Sequence, residues 1–292
     1  MCDDFIHPGL VTDSRLSRRS FGLMTVASAG VASAPALAQN SMGANVAEKD
    51  VTVKTADGNC DAVLYHPTGQ GSWPAVLVWP DIMGLRPAFR DMGRRLAGQG
   101  YTVLVPNPFY RSAKAPVIGE NANFGDPETR AKLTSYRNAM SDEGVDHDSQ
   151  AYLTFLDAQP QTKKTAKAGV QGYCMGGSLS FRTAAAVPGR IAAVGSFHGG
   201  NGLVTANPNS PHLLITKTNA AYVVCQAQND DAQNPKMKDD LKAAFAAAKH
   251  QATVEVYQAN HGWCVKGGAA YNEAEAERAW TALSQLYKTS LA

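Results

Sequence analysis

The chain has 292 residues, of which 44% are hydrophobic and 18% are charged, and its formal net charge is +2. This composition is ordinary for a folded globular protein, and the length suits one α/β domain with a large core. The small net charge gives no support for nucleic-acid binding. No uninterrupted apolar stretch is long enough for a stable membrane anchor.

The N-terminus has the features of a targeting segment. Arg18 and Arg19 form a twin-arginine pair, a mildly apolar run follows at residues 23–34, and Ala36-Leu37-Ala38 is a small-x-small cleavage site. We therefore predict a twin-arginine signal peptide at residues 1–38, cleaved after Ala38, and export to the periplasm by the twin-arginine machinery. The alternative is an amphipathic helix that starts the fold.

Strand and helix patterns alternate along the rest of the chain, after a polar stretch at residues 39–50 that predicts a flexible tether. Strands are predicted at 51–55, 61–65, 75–79, 101–105, 166–171, 191–197, 222–226 and 253–257. Helices are predicted at 88–99, 127–140, 146–158, 178–186, 236–249 and 273–287, and a loop over the site at 112–125. An initial hairpin followed by this alternation predicts a doubly wound, mostly parallel sheet with helices on both faces, in a single domain of residues 51–292.

The most informative motif is Gly172-Tyr173-Cys174-Met175-Gly176, between a predicted strand and a predicted helix. It matches the G-x-S-x-G nucleophile elbow with cysteine in place of serine. Glycines two residues either side give the strained turn its clearance, and the helix N-terminus favours a thiolate. The alternative is a small, inert core cysteine.

Cys174, Asp230 and His261 each follow a predicted strand, at the edge of the sheet where the strands end. Their order of nucleophile, acid and histidine is that of α/β-hydrolases. His261 can then act as the base and Asp230 as the acid that orients it. Asp231 competes with Asp230 for that role.

Other candidates lie at the same edge. The backbone amides of Met175 and Ile82 are predicted to form an oxyanion hole. Tyr173, His198 and Trp263 are the remaining candidates for contacts with the substrate.

Cys60, Cys174, Cys225 and Cys264 remain after the leader is removed, and their spacing is not that of a metal site. We therefore expect no metal and no cofactor. A disulfide among Cys60, Cys225 and Cys264 stays open, because sequence alone cannot pair them.

These residues resemble the dienelactone hydrolase family, the cysteine-using branch of the α/β-hydrolases, over roughly residues 51–286. Residues 172–177 are similar to the family's nucleophile motif, and His261 with Gly262 is similar to its histidine turn. Asp230 matches the family acid because its spacing to Phe245 agrees without a gap. The resemblance implies hydrolysis of an ester or lactone.

The resemblance also implies roles for two further residues. Asp81 stands where the family has a glutamate that holds the thiol near neutral until substrate displaces it, and aspartate is one methylene shorter. Arg111 stands where the family places an arginine that grips a substrate carboxylate; the alternative is a solvated surface arginine. A second substrate arginine of the family has no match, because residues 264–266 are Cys, Val and Lys. An anionic substrate is therefore an option, and dienelactone itself does not follow.

Two other functions fit part of the pattern. Polyester synthases, which transfer acyl groups, use a similar Gly-Tyr-Cys-x-Gly-Gly elbow, although their chains are longer and intracellular. Alternatively, Cys174 could serve as a redox thiol in an exported binding protein, which would require a resolving cysteine that the spacing does not provide.

Overall fold

The computed structural model describes residues 45–119 and 122–291. The eight strands are β1 (Val46–Thr55), β2 (Gly58–Pro67), β3 (Ala75–Trp79), β4 (Thr102–Pro106), β5 (Ala168–Tyr173), β6 (Ile191–Phe197), β7 (Ala221–Ala227) and β8 (Ala252–Tyr257). The α-helices are α1 (Pro87–Gly98), α2 (Pro127–Asn138), α3 (Asp142–Ala158), α4 (Met175–Ala186), α5 (Pro211–Leu214), α6 (Gln228–Gln233), α7 (Met237–Ala248) and α8 (Glu273–Ser290). None of these helices has the length and the hydropathy needed to cross a membrane.

All eight strands belong to one sheet, in the order β1-β2-β4-β3-β5-β6-β7-β8. The pairs β1–β2 and β2–β4 are antiparallel, and every other neighbouring pair is parallel. The predicted fold class, a mostly parallel sheet that begins with a hairpin, is confirmed.

The central strands are buried along their whole length, because helices cover both faces of the sheet. One face packs on α1 and α8, with Phe89, Leu96 and Leu283 in its core. The other face packs on α3, α4 and α7, with Leu153 and Phe181 among the buried side chains. Two apolar layers therefore hold the strands from opposite sides.

The register of the parallel strands aligns their carboxyl ends. Trp79 pairs with Gly172, Tyr173 with Phe197, and Ala227 with Tyr257. Residues that directly follow these strands consequently meet at one edge, which is where the sequence analysis places its candidates.

The hairpin starts earlier than predicted. Strand β1 begins at Val46, so residues 46–50 of the predicted tether pair with β2. The charged residues there are stabilised by α1, because Arg90 and Arg94 form ion pairs with Glu48 at 2.8 Å and 2.6 Å. The signal peptide predicted at residues 1–38 and the rest of the tether lie outside the described residues.

Candidate active site

Cys174 lies between β5 and α4 with φ 55° and ψ −121°, a strained backbone conformation with positive φ of the kind that the elbow pattern predicts. A Cβ atom on Gly172 would lie 1.8 Å from the carbonyl oxygen of Gly176. A Cβ atom on Gly176 would lie 2.5 Å from the carbonyl oxygen of Trp79. Neither glycine therefore has room for a side chain, and the turn brings the half-buried Cys174 to the edge of the sheet.

The backbone of the elbow is held from β6. The Cys174 amide donates to the carbonyl oxygen of Phe197 at 3.0 Å and to His198 Nδ1 at 3.1 Å. His198 is fully buried with φ 39°, and its ring meets that of His261 edge-on at 4.8 Å between centroids. His198, a predicted substrate contact, thus supports the backbone of the elbow and does not line the cavity at Cys174.

Asp230 and His261 are in direct contact with each other. His261 Nδ1 lies 2.8 Å from Asp230 Oδ2, and both side chains are buried. The His261 amide donates to Asn229 Oδ1 at 2.8 Å, which fixes the loop after β8. Cys174 and His261 line the same cavity, and the sulfur contributes to the raised pKa of the His261 ring. The structure therefore brings Cys174, His261 and Asp230 together.

Asp231 points elsewhere. Its carboxylate accepts a hydrogen bond from Lys238 Nζ at 2.7 Å, in the next helix. Of the two neighbouring aspartates, only Asp230 contacts His261 in the described part of the chain, as the spacing to Phe245 implied.

The charge on His261 depends on its partners. Burial of the ring lowers the pKa of His261, but the Cys174 sulfur and the Asp230 carboxylate outweigh burial and raise this pKa to about 10. An imidazolium ion is therefore favoured at neutral pH.

The predicted oxyanion donors lie in the same cavity as the sulfur. Ile82 and Met175 line this cavity together with Cys174 and His261. Met175 is the first residue of α4, so its amide has no acceptor within the helix.

Asp81 is not in contact with the sulfur. Its buried carboxylate accepts two hydrogen bonds from Arg86, at 2.6 Å and 2.7 Å, and one from the Met83 amide at 2.9 Å. These bonds fix the turn that carries Ile82. Among the described residues, no hydrogen bond joins Asp81 to Cys174, and the bonds that Asp81 does form order the loop.

Arg111 is also committed elsewhere. Its guanidinium pairs with Asp148 at 2.7 Å and with Asp57 at 2.6 Å, and it donates to the Gly144 carbonyl oxygen at 3.3 Å. Its side chain is 14% exposed and does not line the cavity that holds Cys174. Arg111 therefore ties the hairpin turn to α3, and it is not a solvated surface arginine.

Tyr173 and Trp263 lie behind the site. The Tyr173 hydroxyl accepts a hydrogen bond from Gln171 at 2.8 Å, and its ring stacks on Phe197 at 5.0 Å. Trp263 stacks on Tyr257 at 5.3 Å and is fully buried. Neither side chain lines the cavity at Cys174, so both support the wall instead of contacting a substrate there.

The other cysteines are inert core residues. Among the described residues no disulfide is formed, and Cys60, Cys225 and Cys264 are buried. Burial raises the pKa of the Cys60 and Cys225 thiols to about 12. In residues 45–119 and 122–291, no cluster of three or more His, Cys, Asp or Glu side chains is placed to hold a metal ion.

The cavity at Cys174 has a volume of about 860 Å³ and includes residues that the sequence analysis missed. They come from the loop before α2, from α2 and α4, and from the segment after β6, and include Phe124, Arg137, Leu179, Pro208 and Leu214. Phe124 belongs to the loop that was predicted to cover the site. For the segment after β6, the sequence signal was the run Asn207-Pro208-Asn209-Ser210-Pro211, which is rich in residues that favour turns.

Such a sheet, with a cysteine elbow and a buried histidine–aspartate pair at its carboxyl edge, defines the α/β-hydrolase class of proteins. The model of the dienelactone hydrolase family matches residues 60–291. The chain therefore belongs to the dienelactone hydrolase family.

Individual relatives agree with this family. A curated protein of Synechocystis sp., provisionally named a carboxymethylenebutenolidase, is 27% identical over 246 residues, which cover 82% of this chain and 96% of the relative. The carboxymethylenebutenolidase of Rhodococcus opacus is 26% identical over 196 residues, or 66% of this chain and 71% of that protein. A solved structure from Klebsiella pneumoniae, provisionally called a dienelactone hydrolase, has a TM-score of 0.71 and covers 84% of this chain and 99% of its own. Its 22% identity makes it similar in fold alone.

Proposed function

We propose that the protein hydrolyses a carboxylic ester or lactone through a thioester on Cys174, with His261 as the proton carrier and Asp230 as the acid that orients it. The observation that supports this most directly is that Cys174 and His261 line one cavity at the carboxyl end of the strands, while Asp230 lies 2.8 Å from His261 Nδ1.

The first half of the proposed reaction forms the thioester. The Cys174 thiolate attacks the carbonyl carbon, a C–S bond forms, and the electron pair of the C=O bond moves to oxygen. The Met175 and Ile82 amides stabilise this oxyanion. The C–O bond then breaks, and the leaving alkoxide takes the proton of the His261 imidazolium.

The second half releases the acid. Neutral His261 removes a proton from water, the hydroxide attacks the thioester carbon, and the C–S bond breaks to restore the thiolate and imidazolium. Asp230 holds Nδ1 throughout, so that the opposite nitrogen of the ring faces the reacting atoms.

The alternatives have less support. An acyltransferase needs a second alcohol in place of water, and the relatives are named for hydrolysis rather than for acyl transfer. A redox thiol needs a resolving partner, and the other three described cysteines are buried free thiols.

A panel of p-nitrophenyl esters and lactones tests the proposal on the mature protein. We expect hydrolysis of at least one ester and, after rapid quenching, a mass increase equal to one acyl group on the peptide that contains Cys174. Turnover that persists after iodoacetamide has fully alkylated Cys174 would contradict the thioester mechanism.

We also propose that the protein is exported by the twin-arginine route, because Arg18 and Arg19 precede an apolar run and a small-x-small site. Replacing both with lysine is expected to leave uncleaved precursor in the cytoplasm. The wild-type periplasmic protein should begin at Gln39 by mass spectrometry. An unchanged periplasmic fraction of the double variant would refute the proposed route.

A further inference from the structure

The cavity at Cys174 is much larger than a small polar substrate requires. Its volume of about 860 Å³ lies near the upper end for sites that enclose a drug-sized molecule. Cys174 and His261 occupy its wall together with apolar side chains, which are Ile82, Phe124, Met175, Leu179, Pro208 and Leu214.

The cavity wall carries Arg137, Asp142 and Arg182, of which Asp142 and Arg182 pair with each other. Arg182 pairs with Asp142 at 3.0 Å and with Asp146 at 2.7 Å, and its Nε donates to the Asp142 carbonyl oxygen. The half-buried Arg137 donates to the Met140 carbonyl oxygen at 3.4 Å. Arg111, the cation expected to bind a substrate anion, is held by Asp57 and Asp148 outside this cavity.

One side of the cavity is the roof segment, residues 199–214, and it is internally fixed. The buried Ser210 Oγ accepts from the Thr205 amide at 2.9 Å and lies 2.8 Å from His212 Nδ1. The His212 amide donates to the Leu203 carbonyl oxygen at 3.1 Å. These bonds fix the segment that carries Pro208 and Leu214, so this part of the apolar wall is preorganised.

From these observations we infer that the substrate is a neutral ester with a large apolar acyl group, whose chain lies between Leu179, Phe124 and the roof segment while its carbonyl carbon reaches Cys174. This inference rests on the proposed ester hydrolysis and adds the substrate class. A chain of six to eight carbons would be dehydrated along most of its length, and each buried methylene corresponds to roughly a fourfold gain in binding.

The test measures kcat/KM for p-nitrophenyl acetate, butyrate, hexanoate and octanoate, each below its micelle concentration. Because burial is incomplete, we expect kcat/KM to rise about two- to fourfold per methylene, and so at least about fiftyfold from acetate to octanoate. A flat or falling series would overturn the inference while leaving ester hydrolysis intact. Failure to hydrolyse any ester would instead contradict the proposed function.

A variant pair locates the effect in this cavity. Ala206 is exposed and lines the cavity, so Ala206→Trp fills space without disturbing the core. It should lower kcat/KM for octanoate at least about tenfold and leave acetate within about twofold. Leu213→Ala is the matched control, since Leu213 is 47% exposed on the same segment and does not line the cavity. Equal effects of both variants on octanoate would contradict the inference.

A charged analogue separates an apolar site from an anion site. The p-nitrophenyl monoester of suberic acid has the length of the octanoate but ends in a carboxylate. We expect at least about tenfold lower kcat/KM for this monoester than for octanoate. A preference for the monoester that disappears in Arg137→Gln would overturn the inference and make Arg137 an anion ligand.

Discussion

Replacing Cys174 with alanine is expected to abolish ester hydrolysis, with kcat falling by at least about a thousandfold. No other described residue offers a nucleophile at the elbow, and the remaining rate would come only from oxyanion stabilisation and binding. Cys174→Ser is expected to lose nearly as much, because His261 deprotonates a hydroxyl far less readily than a thiol. The measurement is steady-state hydrolysis of the best ester of the panel.

Alanine variants of the other three thiols are the matched controls. Cys60, Cys225 and Cys264 are buried in the core, so their alanine variants should lose stability but retain most of the activity per folded molecule. Wild-type turnover in Cys174→Ala, or an equal loss in Cys225→Ala at an unchanged folded fraction, would refute the nucleophile assignment.

Asp230→Asn is expected to lower kcat by roughly 10²–10⁴-fold with a small change in KM, because an amide can stabilise neither the imidazolium nor its productive tautomer. Asp231→Asn is the matched control, since Asp231 is adjacent in the chain but pairs with Lys238. It should keep activity within about twofold. The opposite ranking of the two variants would assign the orienting acid to Asp231.

The same pair of variants should show a pH dependence of stability. Asp230 and Cys174 raise the pKa of His261 to about 10 in the folded protein. Stabilisation by the imidazolium is therefore fully present below the unfolded pKa of about 6.5, and it is lost as the pH rises through about 10. Asp230→Asn should consequently reduce the urea midpoint more at pH 6 than at pH 10.5, and Asp231→Asn should not. An equal reduction of the urea midpoint at both pH values would mean that stabilisation by the Asp230–His261 pair does not depend on the charge of His261.

Sequence patterns were sufficient for the regular part of the fold and for the elbow. The run at residues 75–79 is apolar throughout because helices cover both faces of β3, and such strands leave a clear signal. Gly172 and Gly176 are required because a Cβ atom at these positions would lie 1.8 Å and 2.5 Å from backbone oxygens. A steric requirement of this kind appears directly in the sequence as a glycine.

The failures share a cause, which is dependence on partners far away in the chain. The charged residues 48–50 belong to the stretch that was predicted to be a tether. They form part of the edge strand instead, because the edge of a sheet tolerates charged side chains when a helix supplies arginines to pair with them. Arg111 pairs with Asp57 and Asp148, which are 54 and 37 positions away in the chain, and no local sequence pattern predicts these partners. The roof segment has no periodicity, because its position depends on single hydrogen bonds such as those of Ser210.

The ion pair between Asp81 and Arg86 has a consequence for how readily thiol reagents inactivate the protein. With that carboxylate bound 2.6 Å from a guanidinium, Asp81 does not compete with His261 for the sulfur. Alkylating agents and peroxides would then reach the sulfur directly, and only the size and the largely apolar wall of the cavity would exclude them. Bulky, charged reagents should therefore spare the protein, whereas small, neutral electrophiles should inactivate it at rates that saturating substrate suppresses.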